Sequence, residues 1–228
     1  MVYFPDWIAS LFNTRCPFCG ALFGERAAAC GHCVEKIARL ETRIQKAGAE
    51  LEISARQPCR SLRIHSLATY EGWVKDLILA SKSDPNPHVT RFFAEAFWRI
   101  LPEEARGLAI VWTPGKHFGS VHLVEALALE LHRRGARLTD RPAFSRKILR
   151  SRPQKTLRIS ERKAADRAGR FRIASKILPN DISEVVLLDD VCTTGATLTG
   201  LATALEEETG LLARHALVIA HTPLRMNF

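Results

Sequence analysis

The chain has 228 residues, 46% hydrophobic and 25% charged, a balance that excludes a disordered or fibrous protein and leaves room for one large domain and a small module. No run of ~18 apolar residues occurs, so no membrane span is expected, and Met1–Phe12 lacks the basic stretch and long apolar run of a secretory signal, so the expected location is the cytoplasm. The net charge of +9 is concentrated: residues 133–176 carry 16 Lys/Arg against Asp140, Glu161 and Asp166, a local +13 that points to an anionic partner rather than only a solvated arm.

In chain order, residues 1–14 read as a short apolar leader and residues 15–34 carry two cysteine pairs. From Val34 to about Ser54, Ile37, Leu40, Ile44, Ala47 and Leu51 recur at helical steps, which predicts an amphipathic helix; Gln57-Pro58 then breaks the pattern. Ile64–Tyr70 reads as a strand, Glu71–Ser81 as a helix, Ser83–Pro87 as a loop and Val89–Leu101 as a helix. Leu108–Trp112 is a short buried strand ending at Thr113-Pro114-Gly115, and Gly119–Arg134 is a helix with Val121, Leu123, Val124, Leu127 and Leu131 on its apolar face. The basic segment is less regular. Glu184–Leu188 is a buried strand, Ala196–Thr209 a helix and Ala213–His221 a last strand. Strands alternating with helices predict an α/β domain with a mostly parallel sheet over residues 58–228, preceded by a module over residues 1–57.

Four of the six cysteines form C-x2-C-x10-C-x2-C: Cys16, Cys19, Cys30 and Cys33. In a reducing compartment two such pairs favour a metal over disulfides, and four thiolates at ~2.3 Å close a tetrahedral zinc site with no open position, hence a structural one. Four free thiols or a redox pair are the competing reading. Gly20 and Gly31 suit the tight turns, His32 is a substitute ligand, and Cys59 reads as a small buried residue.

Val185–Thr197 carries the most chemistry. A buried strand ends in Asp189 and Asp190; Cys192, Thr193, Thr194 and Gly195 follow, and a helix opens at Ala196 and Thr197. Backbone N–H groups of such a loop, the positive end of the helix and the threonine hydroxyls suit a phosphate, while paired carboxylates accept hydrogen bonds from vicinal hydroxyls. The implied ligand is a sugar phosphate. The alternative is an Asp pair that binds Mg²⁺ or caps the helix. The Gly-Lys-Ser/Thr ending of a P-loop is missing.

This run is similar to the 13-residue phosphoribosyl pyrophosphate (PRPP) signature of type I phosphoribosyltransferases. The wider chain, from Cys16 to about Pro223, resembles the ComF competence proteins, an amidophosphoribosyltransferase-like group that joins a cysteine module to that fold. Tyr70-Glu71-Gly72 with Leu77–Lys82 is similar to their tyrosine–helix–lysine stretch, and Gln154–Leu157, Ser160–Arg162 and Asp166–Phe171 to their later motifs. The resemblance implies a type I phosphoribosyltransferase-like fold, with PRPP held at Asp189, Asp190, Cys192, Thr193, Thr194, Gly195, Ala196 and Thr197, Mg²⁺ accompanying it, and a role in DNA uptake. Where the family has Arg-Gly-Phe-Asn-Gln, this chain has Lys116–His122; Lys116 supplies the positive charge there and joins Asp189 and Asp190 as a candidate catalytic residue. Arg162 and Arg167 are further candidates to stabilise the leaving pyrophosphate, or to clamp DNA phosphates.

Single-stranded DNA is the second expected ligand, through Arg146, Lys147, Arg150, Arg152, Lys155 and Arg158. Of the histidines, only His117 adjoins an expected active loop; His65, His122 and His215 read as surface or satisfied structural groups, and Trp73 and Trp98 as core. An active transferase without a DNA role is the competing function. The acceptor and the oligomeric state are left open.

Overall fold

Apolar runs without polar alternation need cover on both faces, and the central sheet of this α/β protein supplies it. The computed structural model describes residues 14–16, 18–23, 29–44, 48–53, 60–82, 84–113, 122–139, 144–146, 171–173 and 181–222. The strands are β1 (Thr14–Arg15), β2 (Leu22–Phe23), β3 (Gly48–Ile53), β4 (Arg60–Thr69), β5 (Ala109–Trp112), β6 (Arg137–Leu138), β7 (Phe144–Arg146), β8 (Phe171–Ile173), β9 (Glu184–Cys192) and β10 (Leu212–His221). The helices are α1 (Gly31–Ile44), α2 (Gly72–Ser81), α3 (Pro87–Ile100), α4 (Glu103–Arg106), α5 (Leu123–Arg133) and α6 (Ala196–Thr209).

The main sheet has the order β3-β4-β10-β9-β5-β6. β4, β10, β9, β5 and β6 run parallel, and β3 pairs antiparallel with β4 at one edge. Alternate residues of each strand feed two cores. Ile110, Trp112, Val186, Leu188, Leu217 and Ile219 pack with Leu77, Ile78, Phe93, Phe97, Leu127 and Leu131 of α2, α3 and α5. Ala109, Val111, Val185, Leu187, Ala216 and Val218 pack on the other face with Leu198, Leu201 and Leu205 of α6, and with Phe171 and Ile173 of β8.

Topology follows from the crossovers. β5 leads through α5 to β6, on its outer side, while β9 leads through α6 to β10, on the opposite side. The two connecting helices lie on opposite faces. β5 and β9 therefore flank a topological switch point, where a crevice opens outside the carboxyl ends of the strands.

Three expectations need correction. The helix expected to run from Val34 to Ser54 is α1, which ends at Ile44, and Gly48–Ile53 is a strand. The segment Gly-Ala-Glu-Leu-Glu-Ile alternates apolar and acidic residues, a period of two, and β4 offers it an unpaired edge. The strand expected over Glu184–Leu188 continues to Cys192, because β10 pairs with it through Ala220↔Val191 and His221↔Cys192. The helix expected from Gly119 begins at Leu123, after His122 at its N-cap, and residues 119–121 lie outside the described residues. Sequence reading also missed β1, β2, β6, β7, β8 and α4, all of four residues or fewer.

The leader up to residue 13, Gln57-Pro58, Cys59, Ser83, Lys116, His117, Arg162 and Arg167 lie outside the described residues. So do Lys147, Arg150, Arg152, Lys155 and Arg158; Arg146 is described as the last residue of β7, opposite Phe171. Among the described residues no helix is long and apolar enough to cross a membrane.

Candidate functional site

The switch point is built by Thr113, one residue beyond β5, and by Asp189 and Asp190 near the carboxyl end of β9. Thr113 N–H donates to the Leu188 carbonyl at 3.0 Å, which prolongs the β5–β9 ladder and brings the threonine hydroxyl beside Asp189. That hydroxyl donates to Asp189 Oδ1 at 2.7 Å, and Asp190 N–H donates to the same oxygen at 2.9 Å. Lys82, the residue just past α2, brings its Nζ to 2.8 Å from Asp190 Oδ2. One oxygen of each carboxylate is thus held by the protein. Among the described residues the other oxygen, Asp189 Oδ2 or Asp190 Oδ1, accepts no hydrogen bond.

Asp189 is buried, at 8% exposure. Burial, and then the neighbouring charge of Asp190, push its carboxyl up to about 6 from the ordinary 3.8; the Thr113 hydroxyl, the Asp190 N–H and the Lys82 charge act in the opposite direction. Above pH 6 the site therefore holds a desolvated carboxylate, a strong acceptor for a hydroxyl donor.

The segment after the acids turns directly into α6. Cys192 is buried as the last residue of β9, and its carbonyl accepts from Thr222 N–H. Its thiol is pushed up by burial and faces inward, so Cys192 contributes backbone rather than sulfur to any phosphate cradle. Thr193 and Thr194 are exposed. Gly195 is the N-cap of α6, with φ 73°, a left-handed conformation that disfavours any side chain. Having no side chain, it cannot cap the helix, and the first helical turn carries no acid. Thr194 Oγ1 accepts from Ala196 N–H at 3.4 Å, and the first α-helical bond runs from Thr199 N–H to the Gly195 carbonyl at 2.8 Å. The N–H groups of the opening turn point out of the helix toward the loop, a geometry that favours an anion. Asp189, Asp190, Thr193, Thr194, Gly195, Ala196 and Thr197 follow one another from the carboxyl end of β9 through the turn to the start of α6.

Thr113 was read in the sequence only as the end of a strand, and Lys82 only as part of the family-like stretch. Each stands at the carboxyl end of its element, and their meeting with the acids depends on the sheet order.

A second cluster lies on the N-terminal module. The sulfur atoms of Cys16, Cys19, Cys30 and Cys33 all lie within 4.8 Å of one another, a group able to hold a metal ion such as zinc. Cys19 Sγ and Cys30 Sγ are 3.7 Å apart, close to the edge of about 3.8 Å that four sulfurs at ~2.3 Å from a tetrahedral centre require. The first turn closes through Gly20 N–H to the Cys16 carbonyl and Cys16 N–H to the Ala21 carbonyl, both 2.8 Å, with Gly20 at φ 72°. The second is the opening of α1, where Cys33 N–H and Val34 N–H donate to the Cys30 carbonyl. Burial pushes the Cys16 thiol up, but N–H groups of Cys30, Phe18 and Cys19 aimed at its sulfur prevail and bring it down to about 6. Burial and the neighbouring thiols push Cys33 the other way, so the lowering belongs to Cys16 within the group. His32 is exposed and stands outside the group. The module is docked by Phe18, which meets Phe92 edge-on at 6.0 Å and Trp73 at 6.4 Å, and Trp73 packs against the small core of Cys16, Ala29 and Cys33.

His65 and His215 satisfy each other, Nε2 to Nδ1 at 3.0 Å with stacked rings, at the opposite end of β4 and β10 from the crevice. No family model matches the chain, and no curated protein matches it.

Proposed function

We propose that the crevice between β5 and β9 binds PRPP, and that the chain is a ComF-type protein with a type I phosphoribosyltransferase-like fold. The observation that supports this most is the acid pair, with one oxygen of each carboxylate held by the protein and the other without a hydrogen bond among the described residues, placed immediately before the N-terminus of α6 at a topological switch point. Asp189 and Asp190 accept the two ribose hydroxyls. Thr193, Thr194 and Thr197 donate hydroxyls, and the N–H groups of the loop and first turn donate to the 5′-phosphate, with Gly195 allowing close approach.

In a transfer reaction the bond from ribose C1 to pyrophosphate breaks as a nucleophile attacks, through a state resembling an oxocarbenium ion. The chain's part is to hold the ribose and its phosphate still while charge builds on the leaving group. Mg²⁺ supplies charge neutralisation there when bound with the pyrophosphate through oxygen ligands and water. Lys116, four positions beyond the end of β5 in the sequence, brings a further cation. Zinc on Cys16, Cys19, Cys30 and Cys33 serves the fold of the module, since four thiolates leave no position for water. The ComF resemblance adds a role in DNA uptake, with single-stranded DNA on the basic segment; the local +13 is what favours it.

Isothermal titration of the zinc-loaded protein with PRPP and Mg²⁺ tests the proposal. One site per chain is expected, abolished by Gly195→Val, which forces a β-branched side chain into a left-handed position beside the phosphate. Absence of binding by the parent protein, or equal binding by the variant, would refute it. Pyrophosphate release with a panel of nitrogenous acceptors separates an active transferase from a PRPP-binding factor.

A further inference from the structure

The acid pair and the phosphate cradle belong to the proposed reading; the two residues that hold the acids do not. Asp189 and Asp190 are adjacent in the chain, and two carboxylates so close repel each other and any polyanion. Without restraint each could turn its better acceptor away. Thr113 and the Asp190 backbone N–H occupy Asp189 Oδ1 from one side, and Lys82 occupies Asp190 Oδ2 from the other. The three contacts come from three places in the fold: beyond β5, within β9 and beyond α2. Lys82 is itself placed by the fold, since its N–H closes the last turn of α2 on the Leu79 carbonyl and its cation lies at that helix's negative end. Its side chain is 43% exposed against 20% for Asp190. The ion pair therefore adds little to stability, and its effect is on the orientation of Asp190.

We propose that Lys82 and Thr113 are positioning residues that aim Asp189 Oδ2 and Asp190 Oδ1 at a vicinal diol, and that they set a preference of this crevice for ribose phosphates over deoxyribose phosphates. The inference rests on the sugar-phosphate reading above. It requires that the discrimination, not merely the affinity, depend on the two residues. A cation acting only through its charge strengthens binding of both sugars equally. A residue that aims a carboxylate strengthens only the ligand that carries the hydroxyl.

The experiment compares ribose 5-phosphate with 2-deoxyribose 5-phosphate by calorimetric competition on the full zinc-loaded chain. A carboxylate–hydroxyl hydrogen bond corresponds to about tenfold or more in affinity, so the parent protein is expected to prefer ribose 5-phosphate by about that factor. Lys82→Met and Thr113→Val should each reduce the ratio below about threefold, whereas Lys82→Arg, which keeps the cation, should preserve most of it. Zinc content and the melting midpoint report folding, and either variant alone suffices if the other fails to fold. A ratio that survives both substitutions while the two affinities fall in parallel would overturn the positioning role. So would a parent protein that binds both sugars equally. Binding of neither sugar phosphate nor PRPP by the parent protein instead removes the proposed function itself.

Discussion

Thr113 and Asp189 stand 76 positions apart, yet the threonine hydroxyl donates a 2.7 Å hydrogen bond to the buried carboxylate. Their meeting follows from the register of β5 and β9, in which Trp112 pairs with Leu188 and Thr113 N–H reaches the Leu188 carbonyl. It also sets up a conflict between stability and binding, because a carboxylate that serves as an acceptor must be ionised in a desolvated place.

The first prediction follows from that conflict. The Asp189 carboxyl titrates at about 6 in the folded protein against an ordinary 3.8. A raised carboxyl favours folding when protonated: its contribution is fully present below pH 4 and is lost as the pH rises through about 6. At pH 7.5 the ionised group costs about 3 kcal/mol. Asp189→Asn keeps an acceptor for Thr113 and carries no charge. It is expected to raise the melting midpoint by several degrees at pH 7.5, with the gain shrinking toward pH 4, while PRPP affinity drops at least tenfold. Thermal melts across pH and one titration check both; an unchanged midpoint at pH 7.5 contradicts the burial argument.

Zinc should couple to a single tryptophan. Trp73 packs on Phe18 and on the core that contains Cys16 and Cys33. Elemental analysis is expected to find one zinc per chain, absent from a Cys16→Ser, Cys30→Ser variant. Chelation should shift tryptophan emission to the red as the Trp73 ring gains water, and Trp73→Phe should remove most of that response. A Trp73→Phe variant with the parental spectral shift would place the coupling elsewhere.

The paired histidines give an acid limit to stability. Burial lowers both His65 and His215 below the ordinary 6.5, with the neighbouring His215 and Arg63 adding to the effect on His65. A lowered base favours folding when neutral, so the contribution is present above pH 6.5 and is lost as the pH falls below it. Asp189 changes stability in the opposite direction over part of this range, so the comparison is parent against His215→Gln. The parent is expected to lose more stability between pH 7 and 5 than the variant does. Parallel profiles would show that the pair does not titrate with unfolding.

The basic segment leaves β7 at Arg146 and returns at Phe171, two residues paired in one antiparallel ribbon. If Arg146, Lys147, Arg150, Arg152, Lys155 and Arg158 neutralise about four to six phosphates of single-stranded DNA, log K should fall with log salt at a slope of roughly −3 to −4. Reversing the charge at Arg150 and Arg152 should flatten the slope and leave zinc and PRPP binding intact. Loss of PRPP affinity with unchanged DNA binding would assign the segment to the crevice instead.

How much of this was legible in the sequence depended on the range of the forces involved. The cysteine spacing was readable because each pair sits in one turn, and the sulfur cluster needs only two turns to meet. Helix α6 spans Ala196–Thr209, the expected bounds, because a positive-φ glycine stands at each end: Gly195 before it and Gly210 after it. Gly48–Ile53 was misread because its apolar spacing continued the helical seam of α1, and only the free edge of β4 selects the period of two.

The sequence by itself determined the local devices: the thiol pairs, the buried strands, and the acid pair followed by a glycine and a helix start. Their chemistry resides in neighbouring residues and survives any arrangement of the sheet. Only the tertiary structure decided the strand order β4-β10-β9-β5-β6, and with it the crevice. That order brings Thr113 and Lys82 to Asp189 and Asp190 across strands and helices remote in the chain, by hydrogen bonds and charge acting over about 3 Å, a range that sequence separation does not measure.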